Sequence, residues 1–350
     1  MENINAPAQI STGAELGLVS NEDIRSKRLV LNEKYKDTDF NINAFRPGAN
    51  QGGIVANANT LRHEEWRRVD EAIVDVTSKR LIGISDLIGA GLTEDLGDIG
   101  TMISTYEQLS DMSPANIDMG AETEGDRDRL TYTPVNIPVP ITHKPFQINF
   151  RHLIASRRIG QPLDVTSVRT ATRKVTEGLE GLLFNGSGSP VVGGGQIYGY
   201  TTHPSRSTGT ATGSFSVVTN PYDTIAEMIG KAEVAGYYGL YGVYVSPLQY
   251  AQMRKRYTDG SNANPLSTIL ELLPQISFVR PGDYLANGNL VLVALEAEVV
   301  DVGIAQDFTT VQWSITGGMV EEFKVMAAIV PRVKATKEGQ SGIVHYTGAE

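Results

Sequence analysis

The 350-residue chain carries 40 acidic against 30 basic side chains, a formal charge of −10, and no cysteine. That excludes disulfides, thiolate metal ligands and cysteine nucleophiles, and so acidic a chain is not drawn to DNA by counterion release. With 41% hydrophobic and 20% charged residues, it has the composition of a folded protein and the length of about two ordinary domains.

Residues 1–60 are polar and rich in Asn and Gly ("NAFRPGANQGGIVANANT"). Such a segment buries too little apolar area to order itself, and it reads as an arm that becomes ordered against something else. The opening "MENINAPAQISTG" lacks the basic and apolar regions of a secretory signal, and the apolar run Leu290–Leu295 is far shorter than a membrane helix. A soluble protein is expected.

From Thr60 the pattern turns helical. Thr60 suits an N-cap, and Glu64 and Glu65 suit the positive end of the helix. Leu61, Trp66, Val69, Ile73, Val76 and Leu81 recur at helical spacing, and Gly83 is expected to end the element.

The charge is unevenly distributed. Residues 91–130 hold ten acids, among them Asp118, Glu122, Glu124, Asp126 and Asp128, against Arg127 and Arg129, for a balance of −8. Residues 151–174 hold Arg151, Arg157, Arg158, Arg169, Arg173 and Lys174 against Asp164, for +5. These are either two solvated faces or complementary surfaces that meet across a subunit boundary and fix its register. Between them, "LTYTPVNIPVPITHKPFQINF" alternates β-branched or aromatic residues with polar ones and is punctuated by prolines, as edge strands are. A two-stranded excursion from the body is expected, leaning on a neighbour because an isolated hairpin is marginally stable.

"QPLDVTSVRTATRKVTEGLEGLLFNG" predicts the longest helix, with Asp164 as cap, an apolar face through Val168, Ala171, Val175, Leu179, Leu182 and Leu183, and Asn185-Gly186 as its stop. Residues 188–304 alternate amphipathic helices with short apolar strands, as in a compact α/β unit. The remainder reads mainly as strand, with turns at Gly317-Gly318 and "KEGQSG".

No catalytic motif is complete. "NGSGSPVVGGGQIYG" follows a helix and has no lysine before Lys231, so it is a helix stop and crossover rather than a phosphate loop. "GQSG" around Ser341 is one residue short of a nucleophile elbow, and His63-Glu64 lacks the second histidine of a zinc motif. His143, His152, His203 and His345 show no ligand spacing, and the acidic segment lacks a calcium-loop pattern. Neither cofactor nor metal is expected, and the chain does not read as an enzyme.

The segments "WRRVDEAIVDVTSKRLIG", "ATRKVTEGLEGLLFNGSG" before "IYGYTTHP", "YGVYVSPLQYAQMRKRY" and "AQDFTTVQWSITGGMVEEFKVMAAIVPRVKA" occur in a telling order. Over residues 61–350 the chain resembles major capsid proteins of tailed bacteriophages with the Hong Kong 97 type fold, especially the branch shared with encapsulin (linocin-like) shell proteins. The resemblance implies an α+β capsid fold. Its parts would be an N-terminal arm (1–60), a peripheral domain (61–95, 145–190 with the spine helix, and 305–350), an E-loop (96–144) and an axial domain (191–304). It implies a virion protein, assembled in the host cytoplasm, whose hexamers and pentamers enclose double-stranded DNA. Its partners would be copies of itself, with a portal, a scaffold and a cement or decoration protein. The arm favours a phage head over a nanocompartment around a cargo enzyme, since encapsulins begin with a short helix near the start. Some members of the fold crosslink an E-loop lysine to a neighbour. Here no lysine occurs between Lys79 and Lys144, which implies a shell held by non-covalent contacts or by a separate cement protein.

Overall fold

The computed structural model describes residues 61–350 apart from 116, 118, 121–126, 160–164, 189–194, 257–263 and 316–319. The arm, Asp118, Glu122, Glu124, Asp126, the Asp164 cap and the Gly317-Gly318 turn lie outside the described residues, as does the side chain of Arg157. Among the described residues no helix is long and apolar enough to cross a membrane.

Two sheets make the body. The four-stranded sheet has the order β1 (Thr93–Asp95), β9 (Val300–Ile315), β10 (Val320–Val333), β4 (Thr142–Asn149). Its centre is the long antiparallel pair of β9 and β10, with β1 parallel to β9 and β4 antiparallel to β10. Pro145 sits in β4, where an edge strand tolerates the missing donor. The proline-rich segment is thus divided: residues 142–149 form an edge strand of this sheet, and only its first half is left for the excursion.

The five-stranded sheet has the order β5 (Ser207–Thr210), β11 (Ile343–Thr347), β8 (Leu290–Ala294), β6 (Tyr241–Val245), β7 (Ile276–Pro281). Every residue of β6 and β8 is buried, which is why these two strands read as unbroken apolar runs. The C-terminal strand β11 lies inside this sheet and not beside β9 and β10, the strands it was grouped with above.

Helix α1 (His63–Arg80) starts where the Glu65 carboxylate accepts the Arg62 amide at 2.7 Å, and Val69, Ala72 and Ile73 form its buried stripe. It ends at Arg80, and Gly83 opens a further helix, α2 (Gly83–Gly89). The glycine is required for close approach, because a Cβ at Gly83 would stand 2.5 Å from a methyl of Leu183. The basic segment supplies α3 (Phe150–Ile159) and the first turns of α4 (Thr166–Asn185), a 20-residue rod roughly 30 Å long. Val168, Ala171, Val175, Leu179, Leu183 and Phe184 of α4 are buried. The hydroxyls of Thr172 and Thr176 are satisfied inside the core by the carbonyls of Val168 and Thr172. Gly186, at φ +69°, turns the chain. Tyr200 and Thr201 then return to bond the carbonyls of Leu183 and Phe184 at 3.0 and 2.9 Å, so the glycine-rich crossover completes the helix end. Helices α5 (Asn220–Val234), α6 (Pro247–Met253) and α7 (Pro265–Leu272) belong to the α/β unit.

Candidate assembly interface

The third sheet is a ribbon of two strands, β2 (Ile103–Leu109) and β3 (Tyr132–Pro138), paired antiparallel from Ile103↔Pro138 to Leu109↔Tyr132. Its root is fastened to the body. Ile137 and Val139 are buried with Ile197, Ala305, Ala328 and Val330 in a small core, and Tyr106 packs against it. Burying an aliphatic side chain of this size contributes about 1.5–3 kcal/mol.

Beside this core lies Arg332, fully buried at the end of β10. Its Nη1 donates to Ser104 Oγ of the ribbon at 2.9 Å, and its Nε to Asp301 Oδ1 at 2.6 Å. Its Nη2 binds Glu94 and the second oxygen of Asp301, and Lys334 reaches Asp301 at 2.6 Å. Two cations and two carboxylates thus share one site, so no buried charge is left uncompensated. Burial opposes ionisation of Arg332, but its hydrogen bonds to the Asp301 and Glu94 carboxylates outweigh that and push its pKa above the ordinary value. Further out, the turn after β10 holds the chain just beyond the outer ends of both strands: Lys337 Nζ donates to Thr131 Oγ1 at 2.7 Å, and Glu338 accepts the Asp111 amide at 3.1 Å. The ribbon, expected to need a neighbour, is held by its own subunit from its root out to Asp111 and Thr131, just beyond its last strand pair.

The outer part differs. Leu109 and Tyr132 are an exposed cross-strand pair; beyond them Met112 is half-exposed, and Ile117 and Met119 are fully exposed. Met102, Ile103 and Ile141 add exposed apolar surface at the base. A ribbon buried at the root and apolar at the tip has the form of an adhesive arm. No sequence signal singles out this set, because each residue alone reads as an ordinary strand or loop position.

The charged candidates divide. Asp128 accepts the Ser113 amide at 2.5 Å and binds the Ser113 hydroxyl, and these bonds hold its carboxyl below the usual range. It therefore shapes the tip as well as charging it. Arg169 pairs with Asp75 of α1 at 3.0 Å. Lys174 and Arg173 approach Glu177 at 2.6 and 3.6 Å. These three meet acids of their own subunit. Arg151 and Arg158 are exposed on α3, where Arg151 also donates its amide to Asn149 at 2.8 Å.

Of the candidate catalytic residues, Ser341 and His203 have structural partners. Ser341 is buried and donates to the Lys334 carbonyl at 3.2 Å. His203 accepts the Ser205 amide at Nδ1, 3.2 Å, and burial, aided by nearby Arg206, lowers its pKa to about 4. His63, His143 and His152 are exposed. Among the described residues no group of three metal-ligating side chains converges.

Comparison with known proteins agrees with this architecture. The type 1 encapsulin shell protein EncA of Myxococcus xanthus (strain DK1622) is 25% identical over 280 residues, covering 79% of this chain and 91% of EncA. The virus-like particle protein of Pyrococcus furiosus superposes with a TM-score of 0.58 at 17% identity, covering 81% of this chain and 99% of that one. The capsid protein of Myoviridae phage XM1 gives 0.55 at 13% identity, over 76% and 92%. The fold is the Hong Kong 97 type that phage capsids share with encapsulin-like shells. A family model described as "Family of unknown function (DUF6260)" matches residues 56–346, and the chain belongs to that family.

Proposed function

We propose that this chain is a structural shell subunit, a major capsid protein that assembles with copies of itself into the hexamers and pentamers of an icosahedral phage head around double-stranded DNA. The observation that carries the reading is the ribbon, rigid at the root through Arg332 and apolar at the tip through Met112, Ile117 and Met119. Exposed apolar side chains on an arm projecting from a finished core gain free energy only when another surface covers them.

The work is adhesion. The tip lies across an adjacent copy, and the acids Asp118, Glu122, Glu124, Asp126 and Asp128 face the basic surface of Arg151, Arg157 and Arg158 there. Arg169, Arg173 and Lys174 add positive potential tempered by Asp75 and Glu177. Apolar contact supplies most of the affinity, and charge sets the register. The acidic inner surface leaves packaged DNA mobile, and a portal, a scaffold and a cement protein are the further partners of such a head. The arm ahead of α1 joins neighbouring copies.

A second reading, an encapsulin-type nanocompartment enclosing a cargo enzyme, is favoured by the likeness to EncA over nine-tenths of that protein. Electron microscopy of purified particles, with mass spectrometry and nucleic-acid analysis of their contents, tests both. Genome-sized heads with DNA support the first, small shells around one protein support the second, and a protein that stays monomeric at high concentration contradicts both.

A further inference from the structure

The seam between the two sheets holds an unusual set of polar groups. Helix α2 lies between α4 and the five-stranded sheet. At its start, the amides of Gly83 and Ile84 donate to the buried Glu180 carboxylate of α4 at 3.2 Å each. One turn on, buried Asp86 accepts from Tyr244 Oη of β6 at 3.1 Å and pairs with Arg280 of β7. Tyr200 stacks on Tyr244 at 6.0 Å, and its buried hydroxyl has no hydrogen-bond partner. Phe184 sets its edge against both rings.

The seam therefore contains two buried carboxyls and one guanidinium, and the Arg280 side chain is half-exposed. The other titratable groups facing Glu180 are the phenols of Tyr200, Tyr244 and Tyr284. Lys174 and Arg173, a turn or two earlier on α4, are engaged with Glu177. With both carboxyls ionised, one negative charge in a dry site has only backbone amides for compensation, which low-dielectric surroundings penalise strongly.

We propose that Glu180 and Asp86 form a proton-linked latch between the two sheets, in which protonated Glu180 lets α2 hold Asp86 against Tyr244 and Arg280, while ionised Glu180 loosens α2 and with it the grip on the five-stranded sheet. Burial, with the neighbouring Asp86 charge contributing, raises the Glu180 carboxyl to about 7. The latch is closed below the ordinary value of 4.5, loosens as pH rises from there towards about 7, and is fully loosened above that. It is a property of the single chain and does not depend on shell formation.

Amide hydrogen exchange of the full-length protein, corrected for the intrinsic pH dependence of exchange, tests the latch. Opening exposes Glu180, whose ordinary value is 4.5. The open population around Gly83–Gly89 should then rise about tenfold per pH unit between the two values and level off above the upper one. Glu180→Gln should abolish this slope while keeping the segment protected, and Asp86→Asn should raise exchange in both α2 and β6 at every pH. A pH-independent wild type, or an unchanged slope in Glu180→Gln, would overturn the proposal. Should Glu180→Gln fail to fold, the wild-type slope alone decides.

Discussion

Arg332 and Asp301 face each other across β10 and β9 as a buried pair, with Nε to Oδ1 at 2.6 Å, and the same guanidinium holds Ser104 of the ribbon. One side chain thus ties the protruding element to the sheet that supports it. Removing one member of a buried pair strands the other charge, at about 3–5 kcal/mol. Arg332→Ala should lower the urea midpoint accordingly. Limited proteolysis should then cut the ribbon near its root, between β2 and the small core. A variant of wild-type stability would mean that Arg332 does not hold the ribbon and that its apolar root and the turn after β10 suffice.

The tip should behave oppositely. Met112, Ile117 and Met119 are exposed, so replacing all three by Ser should change subunit stability by no more than about 0.5 kcal/mol per site. Assembly should fail, and sedimentation would show folded small species where the wild type gives particles. Normal particle yield would remove the tip from the interface.

Charge reversal separates register from adhesion. Arg151→Glu with Arg158→Glu alters exposed positions of α3 and should leave the fold intact while lowering particle yield, an effect that weakens as salt screens the contact. Reversing Arg169, Arg173 and Lys174 also breaks pairs with Asp75 and Glu177. Its effect should therefore include a small loss of subunit stability that the α3 variant does not show.

His203 predicts the acid limb of stability. Its folded value, about 4, lies below the ordinary 6.5, so the unfolded chain binds the extra proton between these values. Stability from this group is complete above 6.5 and is lost as pH falls towards 4, by up to about 3 kcal/mol. His203→Asn, which keeps an acceptor for the Ser205 amide, should flatten that part of a melting-temperature profile. A profile unchanged by the substitution would show that other groups govern the acid limb.

Periodicity made much of the fold legible. The stripe Val168–Leu183 marked α4, and the apolar runs around Tyr241–Val245 and Leu290–Ala294 marked two central strands. Failures came where distant parts of the chain decide the outcome. Gly83 reads locally as a helix stop, but it is a contact point for Leu183, 100 residues away in sequence. The segment 130–150 reads as one extended stretch, because nothing local says that β3 pairs with β2 while β4 pairs with β10. Arg332, Asp301 and Glu94 carry no motif and are brought together only by sheet register. For the interface, sequence revealed charge, which is cumulative along the chain. It concealed the apolar tip, because exposure is a property of the folded surface.

The central claim is that the ribbon tip is completed by another copy of the chain. Cryo-electron microscopy of the purified full-length protein tests it most directly. Closed shells are expected, in which Met112, Ile117 and Met119 of each subunit are covered by its neighbour. Well-ordered single subunits, or shells in which those side chains face solvent, would contradict it.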